Sequence, residues 1–451
     1  MKSLLFLLLF LPVFARAQTI TTVAGNGAAA NTGDGGPASD ASINAPAFNV
    51  IDRYGNMYVS TVDRGFSVRK ISATGIITTV AGSAGGLSGF SGDGGPATNA
   101  LFGGPGSIAV DTAGNIYVCD VFNSRVRKIT VSTGVVTTIA GNDTTGYSGD
   151  GNPAVHASLN RANGICVDRR GNIFICDQSN NRVRKIDAAG IITTVAGTGV
   201  SGYNGDGRAD TTEISDPFSA CSDPFGNVYF CDAGNSMLRM LDTLGFIHTI
   251  AGTGASGNSG DGGPATAAAL TPLGVAMDLQ SNIYISSSSI TANFVRMIDT
   301  SGIITTLAGA LASGFSGDGG PADSARLNWP LGLATDPCGY LYICDYNNYR
   351  IRKVTFPACI DVAVPVQPGK LELSVYPNPA TTQITVSSSE NINSVAITNL
   401  LGQIAYLQTA PANCQLIHLD VAALPSGIYL VKVNGSSAGA EPVVVRKFVK
   451  E

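Results

Sequence analysis

Carboxylates are the residues of this chain best placed to do chemistry, and they recur in three sets. A Gly-Asp-Gly motif carries Asp34, Asp93, Asp150, Asp206, Asp261 and Asp318. Asp52, Asp111, Asp168, Asp223, Asp278 and Asp336 mostly precede x-x-Gly-Asn, and Asp120, Asp177, Asp232 and Asp345 end apolar runs such as Ile-Tyr-Val-Cys-Asp. Loop aspartates could hold Ca²⁺, with Asp93, Asp261 and Asp318 the candidates. A hard cation takes roughly 6–8 oxygens, however, and each loop brings one certain carboxylate. The Pro-Ala that follows fits a single helical turn with an acid at its start, so a structural role is the expectation and no other cofactor is implied. The second set reads as Asx turns before a glycine of positive φ. The third set either caps loops or contributes to a binding surface.

Nucleophilic and acid–base catalysis are thinly supplied. His156, His248 and His418 are the three histidines, far apart in sequence, and Glu213 is the one glutamate between residues 18 and 355. Arg69, Arg127, Arg184, Arg239, Arg296 and Arg352 share one sequence context, as an anion ring would require; packing of the arginine stem beside a paired carboxylate is the simpler reading. Cys119, Cys176, Cys231 and Cys344 also share a position, which small size and burial explain. Cys166 and Cys221 each precede such a cysteine by ten residues, permitting disulfides Cys166–Cys176 and Cys221–Cys231, with Cys338–Cys359 a third candidate.

The elements that position these groups follow from a repeat. Ile-Thr-Thr-Val-Ala-Gly and its variants close at Gly25, Gly82, Gly141, Gly197, Gly252 and Gly309, a period near 57 that marks a repeat architecture. Within each period come four short β-rich runs, as in SIAVD, NIYVCD, RVRKI and VVTTIA between Ser107 and Ala140, separated by Gly/Asn/Asp turns. Both faces of the second run are apolar, so each sheet is covered on both sides. The sequence predicts an all-β chain: a six-bladed β-propeller over residues 18–355. The first copy of the fourth strand, Ile20–Ala24, precedes blade 1, so it should close the last blade beside Arg350–Val354. The pattern PxGIAVDxxGNIYVCDxxNNRVRKI resembles the NHL-repeat family of six-bladed propellers. That family includes binding platforms as well as lyases and hydrolases, so the resemblance leaves function open. Its metal-dependent lyases use channel histidines and related lactonases a glutamate, and neither set is visible here.

Because the frame fixes structure, departures from it are where an individual function would sit. Seven and five residues before the turn Asp, at the expected channel mouth, the pairs are Ala45/Ala47, Gly104/Gly106, Arg161/Asn163, Asp216/Phe218, Thr271/Leu273 and Trp329/Leu331. Arg161, Asn163, Asp216, Phe218 and Trp329 are thus the candidate ligand-binding residues, a polar and aromatic half suited to a glycan or a peptide. Phe90, Tyr147, Tyr203 and Phe315 precede the Gly-Asp-Gly turns and could border the same face.

The chain ends define its destination. Residues 1–17 read as a secretory signal peptide: Lys2, an apolar stretch from Leu4 to Phe14, and Ala15-Arg16-Ala17 for cleavage before Gln18. The apolar run is shorter than the ~20 residues of a spanning helix, and no transmembrane segment is expected after its removal. Residues 356–370 read as a linker with three prolines, and 371–451 as a small β-sandwich of seven short runs. Tyr376-Pro377-Asn378-Pro379, Leu400-Leu401-Gly402-Gln403 and the stretch holding Gly427, Ile428 and Tyr429 resemble the C-terminal type A sorting domain of the type IX (Por) secretion system. That resemblance implies a Gram-negative Bacteroidota source, passage across the outer membrane, and removal of the domain by a sortase-like peptidase, with release or surface attachment of the cargo.

A net charge of −5 with 13% charged residues argues against a nucleic-acid partner. The expectation is a secreted or surface propeller that binds protein or carbohydrate. The alternative is an extracellular hydrolase or lyase with an Asp-based site at the channel.

Overall fold

In the computed structural model the described residues are 18–63, 65–83, 86–289, 292–356, 373–376, 380–388, 391–399, 404–411, 414–425, 427–435 and 443–450. Residues 1–17, expected to be the leader, lie outside this set, as does nearly all of the expected linker. The chain divides into two compact units, Met1–Ile360 and Asp361–Glu451.

β-branched, alternating runs become short strands because each is flanked by a turn that its own side chains enforce. Asp111 shows how: its carboxylate accepts the backbone N–H groups of Ala113 and Asn115 at 2.9 and 2.8 Å, the Asn115 side-chain amide at 2.8 Å and the Tyr117 hydroxyl at 3.0 Å. That Asx turn reverses the chain from Pro105–Val110 into Ile116–Asp120. Asp52, Asp168, Asp223, Asp278 and Asp336 make the same turn. All five residues of Ile116–Asp120 are buried, as a strand covered on both faces requires.

Six antiparallel sheets result, four of four strands and two that gain a two-residue fifth strand (Asn152–Pro153 and Gly207–Arg208) on the outer edge. Their first strands are Pro46–Ile51, Pro105–Val110, Ala162–Val167, Pro217–Ser222, Pro272–Met277 and Pro330–Thr335, and they pack side by side around an axis, the last against the first. A Cβ added at Gly274 would strike the Leu331 carbonyl, and one at Gly332 would strike the Phe48 backbone, so those blades meet backbone to backbone where no larger residue fits. The sixth blade is completed from the other end of the chain. Thr19–Ala24 pairs antiparallel with Arg350–Thr355, Thr19 opposite Thr355 and Ile20 opposite Val354. This is the closure that the strand count predicts.

The long loops between blades do more than connect. In blade 2, Gly94 N–H donates to the Val136 carbonyl at 2.8 Å and Val136 N–H returns to Gly95 at 3.1 Å, adding a short fifth edge to the outer strand. The chain then makes one 3₁₀ turn, Ala97–Asn99, with Ala97 buried. Equivalent turns at Ala154–His156, Ala265–Ala267 and Ala322–Ser324 match the expected single helical turn.

The register corrects two disulfide expectations. Cys166 lies opposite Phe174 and Cys221 opposite Tyr229, while Cys176 faces Gly164. Cys166 and Cys221 therefore miss Cys176 and Cys231, and all four are free thiols. Burial pushes these thiols up, Cys221 to about 12. Cys359, the expected partner of Cys338, lies outside the described residues.

In the second unit a three-stranded sheet (Leu373–Tyr376, Gln383–Ser388, Leu416–Asp420) and a four-stranded sheet (Ile392–Asn399, Ile404–Thr409, Gly427–Gly435, Val443–Lys450) share a core that includes Ile384, Ile397, Leu419, Val431 and Phe448. Of the motif residues, Tyr376, Gly427, Ile428 and Tyr429 lie in strands, and Pro377, Asn378 and Pro379 fall outside the described set. The Tyr429 ring stacks on Phe448 at 5.5 Å and its hydroxyl donates to the Pro425 carbonyl at 2.9 Å.

Candidate functional site

At one end of the channel, each long loop must turn sharply to enter a first strand. Five of the six turns do so with positive φ: Ala45 (+42°), Gly104 (+114°), Arg161 (+52°), Asp216 (+55°) and Trp329 (+60°). A residue with a Cβ in this region costs roughly 1–2 kcal/mol, yet three blades place a large or charged side chain there. The geometry is held from the preceding blade, where Asn181 Oδ1 accepts the Asp216 N–H at 3.0 Å and Asn293 Oδ1 the Trp329 N–H at 2.8 Å.

These turns surround a cavity of about 720 Å³. Arg161, Asn163, Phe218 and Trp329 all line it; Asp216 does not, and stands exposed on the rim. Phe48 and Leu331 form its buried floor with Phe218, whose ring lies 6.0 Å from that of Phe48. Sequence reasoning missed the loops after the second strands, which supply Asp63, Phe66, Phe122, Gln178, Tyr346 and Asn347. Phe122 is largely exposed, packs on Gly104 and sits beneath the Arg161 guanidinium, 6.0 Å away. Gly104 thus looks empty in sequence because the Phe122 ring fills its space. The Tyr346 hydroxyl donates to Asp63 at 2.8 Å, and burial, with Asp63 second, raises the Tyr346 phenol above its ordinary value.

Below this mouth the channel narrows to a space of about 190 Å³ lined by the first strands, Asn49, Ser219 and Cys221 among them. The opposite mouth, about 310 Å³, is bordered by Asp52, Asp223, Asp278 and Asp336, all held in the Asx turns described above.

The other recurrent charges serve the frame. Six fully buried arginines meet the Gly-Asp-Gly carboxylates: Arg69 with Asp34 and Arg127 with Asp93 at 2.6 Å, Arg184 with Asp150 at 2.6 Å, Arg239 with Asp206 at 3.1 Å, Arg352 with Asp318 at 2.8 Å, and Arg296 with Asp261. Asp93, Asp261 and Asp318, the calcium candidates, thus already face a fixed cation, and Asp93 and Asp261 also accept the backbone N–H groups of Thr138 and Thr306. Four arginines reach a second, fully buried carboxylate: Asp120, Asp177, Asp232 or Asp345, at 3.2–3.4 Å. Those four aspartates are inside the blades, capping the loop that precedes the first strand, as where Asn160 N–H donates to Asp177 at 2.8 Å. Phe90, Tyr147 and Phe315 lie outside the cavity lining, and the guanidiniums of Arg125, Arg182 and Arg350 lie over their rings at 4.0, 3.7 and 3.9 Å.

Two opposite pKa shifts set the acid response of this ladder. Burial pushes the carboxyls of Asp232 and Asp345 up from 3.8 to about 6, against the pull of Asn and Arg donors. Asp34, Asp150, Asp206 and Asp261 lie below 3.8: partial burial opposes the shift, but threonine and arginine donors outweigh it. For the first pair the folded state binds protons that the unfolded chain does not, so stability rises as pH falls from about 6 towards 4. For the second group stability is present above 3.8 and is lost as pH falls through the depressed values. The expected melting profile peaks between pH 4 and 6; a melting temperature rising steadily to pH 7 would refute it.

Comparison with known proteins agrees with the fold of the two units. Residues 374–451 match the family described as the secretion system C-terminal sorting domain, residues 102–129 the NHL repeat, and residues 143–202 the teneurin NHL domain. The chain carries an NHL-repeat propeller and a type IX sorting domain. Teneurin-1 of Gallus gallus is 30% identical to it over 240 residues, covering 46% of this chain and 8% of teneurin. The chloroplastic protein SUPPRESSOR OF QUENCHING 1 of Arabidopsis thaliana is 25% identical over 269 residues, 55% of this chain and 25% of that one. The chain thus spans a tenth or less of the teneurins it matches. Among solved structures, a structural-genomics protein of Bacteroides thetaiotaomicron has a TM-score of 0.56 at 18% identity, and an auxiliary nutrient binding protein of Bacteroides ovatus a TM-score of 0.54 at 17%; each comparison covers 75% of this chain and 76% of the other. These likenesses concern the propeller fold. The sorting domain implies type IX export to the cell surface in Bacteroidota. Among the described residues no helix is long and apolar enough to cross a membrane.

Proposed function

We propose that the propeller, residues 18–355, is an exported binding module whose ligand, a glycan or a peptide, occupies the mouth cavity. In this reading residues 1–17 direct entry to the periplasm, and the type IX machinery carries the chain outward and removes the sorting domain through its sortase-like peptidase. One observation carries the binding role: strained backbone at Arg161 and Trp329 presents those side chains to a cavity of about 720 Å³ that also holds Phe122, Phe218 and Tyr346. Large side chains retained at a steric cost point to use rather than packing. The described use of the same fold for nutrient binding in a Bacteroides protein supports the reading. The hydrolase alternative has less to build on, since that lining offers one carboxylate, Asp63, already bonded to Tyr346.

Trp329 is the only tryptophan, so its emission in the full-length chain reports on the mouth alone. Ligands from a glycan or peptide array are expected to shift that emission. Trp329→Gly is expected to weaken binding at least about tenfold by calorimetry, the loss of one well-packed aromatic contact. Its melting temperature should hold or rise, because Gly104 occupies the equivalent turn and about 1 kcal/mol of strain is released. A Trp329→Gly chain that binds normally, or that loses cooperative unfolding, would assign the ring to packing.

A further inference from the structure

We infer that the ligand of the mouth is an acidic saccharide whose carboxylate is read by Arg161; the inference rests on the binding role proposed above. Arg161 is exposed and lines the cavity. Among the described residues no hydrogen bond or ion pair meets its guanidinium, and it is the only basic side chain of the lining. The other arginines near this face are committed: Arg125 to Asp143, Arg182 to the Asn180 and Thr198 carbonyls, and Arg350 to the Asn348 and Asn26 carbonyls. An unpaired guanidinium beside a largely apolar cavity is a bidentate receptor for a planar carboxylate.

Asn163 points to hydroxyls as well. It is nine-tenths buried, its side-chain oxygen lies over Gly106 in the lining, and no hydrogen-bond partner meets its amide among the described residues. The amide atoms are not among the sealed, unpartnered polar atoms; they open to the cavity, where a ligand hydroxyl or a water can bond them. Gln178, likewise without a described partner, lies in the same lining. Amides that donate and accept, next to the exposed faces of Phe122 and Trp329, match a pyranose ring: its C–H face stacks on the aromatic ring and its hydroxyls bond the amides. A peptide would more naturally extend a sheet edge; the first strands are edges of their sheets, but each packs against the first strands of the two neighbouring blades. The carboxylate of Asp63, the one acidic group of the lining, is tied to Tyr346 at 2.8 Å.

The test uses the full-length protein with oligogalacturonate, its methyl ester, oligosialic acid, a neutral galacto-oligosaccharide and a polyglutamate peptide, followed by Trp329 emission and calorimetry. An acidic saccharide is expected to bind on the order of ten- to a hundredfold tighter than its ester or neutral counterpart, the worth of one charged hydrogen-bonded contact. Arg161→Gln should erase that preference, so that acid and ester bind alike, with the melting temperature unchanged. Equal affinity for acid and ester, with binding still lost in Trp329→Gly, overturns the carboxylate inference and leaves the mouth as a binding site. Binding of polyglutamate in preference to every saccharide overturns it in favour of a peptide. No response to any saccharide, with normal melting, also overturns it; an unchanged response in both variants removes the mouth reading as well.

Discussion

Arg184→Met is expected to destabilise the propeller by about 3–5 kcal/mol, the cost of leaving one member of a buried ion pair without its partner. Arg184 is fully buried and holds two carboxylates, Asp150 at 2.6 Å and the fully buried Asp177 at 3.2 Å. Methionine keeps the length and apolar stem of the side chain, so lost packing is a small part of the effect. Blade 1 provides the control. There Thr61 stands where Asp177 stands in blade 3, and Arg69 pairs with the half-exposed Asp34 alone. Arg69→Met should therefore cost distinctly less than Arg184→Met, and Asp177→Asn should recover part of the loss in an Arg184→Met background. Chemical denaturation of the four proteins reads these differences; equal losses in blades 1 and 3 would show that the buried carboxylate plays no part.

Ile20→Ala is expected to cost about 2–5 kcal/mol, the usual range for emptying a fully buried aliphatic site. Ile20 has no exposed surface and joins Val354, Leu341, Ala308 and Leu327 in the core shared by blades 5 and 6. Its strand is bound on both sides, to Arg350–Thr355 and, through Ile20 itself, to Gly319 and Gly320 of the last long loop. Denaturant curves should shift as a whole while remaining a single transition, because the ring has no other strand with which to fill the gap. A wild-type midpoint for Ile20→Ala would mean that the opening strand adds nothing to the ring.

The ring was readable before any coordinates because its cause is periodic. The closing glycines, from Gly25 to Gly309, repeat at near-constant intervals, and the unmatched first copy at Ile20–Ala24 points to the pairing with Arg350–Thr355. Arg161, Phe218 and Trp329 were readable as departures from that frame. Phe122, Tyr346 and Asp63 are not legible at the first-strand mouth, because they belong to the loops that follow the second strands; their signal is the variation among the residues after Thr61, Asp120, Asp177, Asp232, Ser287 and Asp345. Equal spacing misled at Cys166 and Cys176, since the Asx turn from Asp168 to Asn172 sets the register so that Cys166 meets Phe174. Spacing counts residues, whereas pairing depends on where the hairpin turns. Asp216 marks the same limit: it shares the turn geometry of Arg161 and Trp329 but faces the rim.

The strand that emerges first from the ribosome has as its partner the strand of the propeller that emerges last: Thr19 bonds Thr355, 336 positions along the chain. Every other sheet can form from neighbours already synthesised, but the sixth must wait, so translation ordinarily delivers five finished sheets and one open seam. Contacts of such separation form slowly.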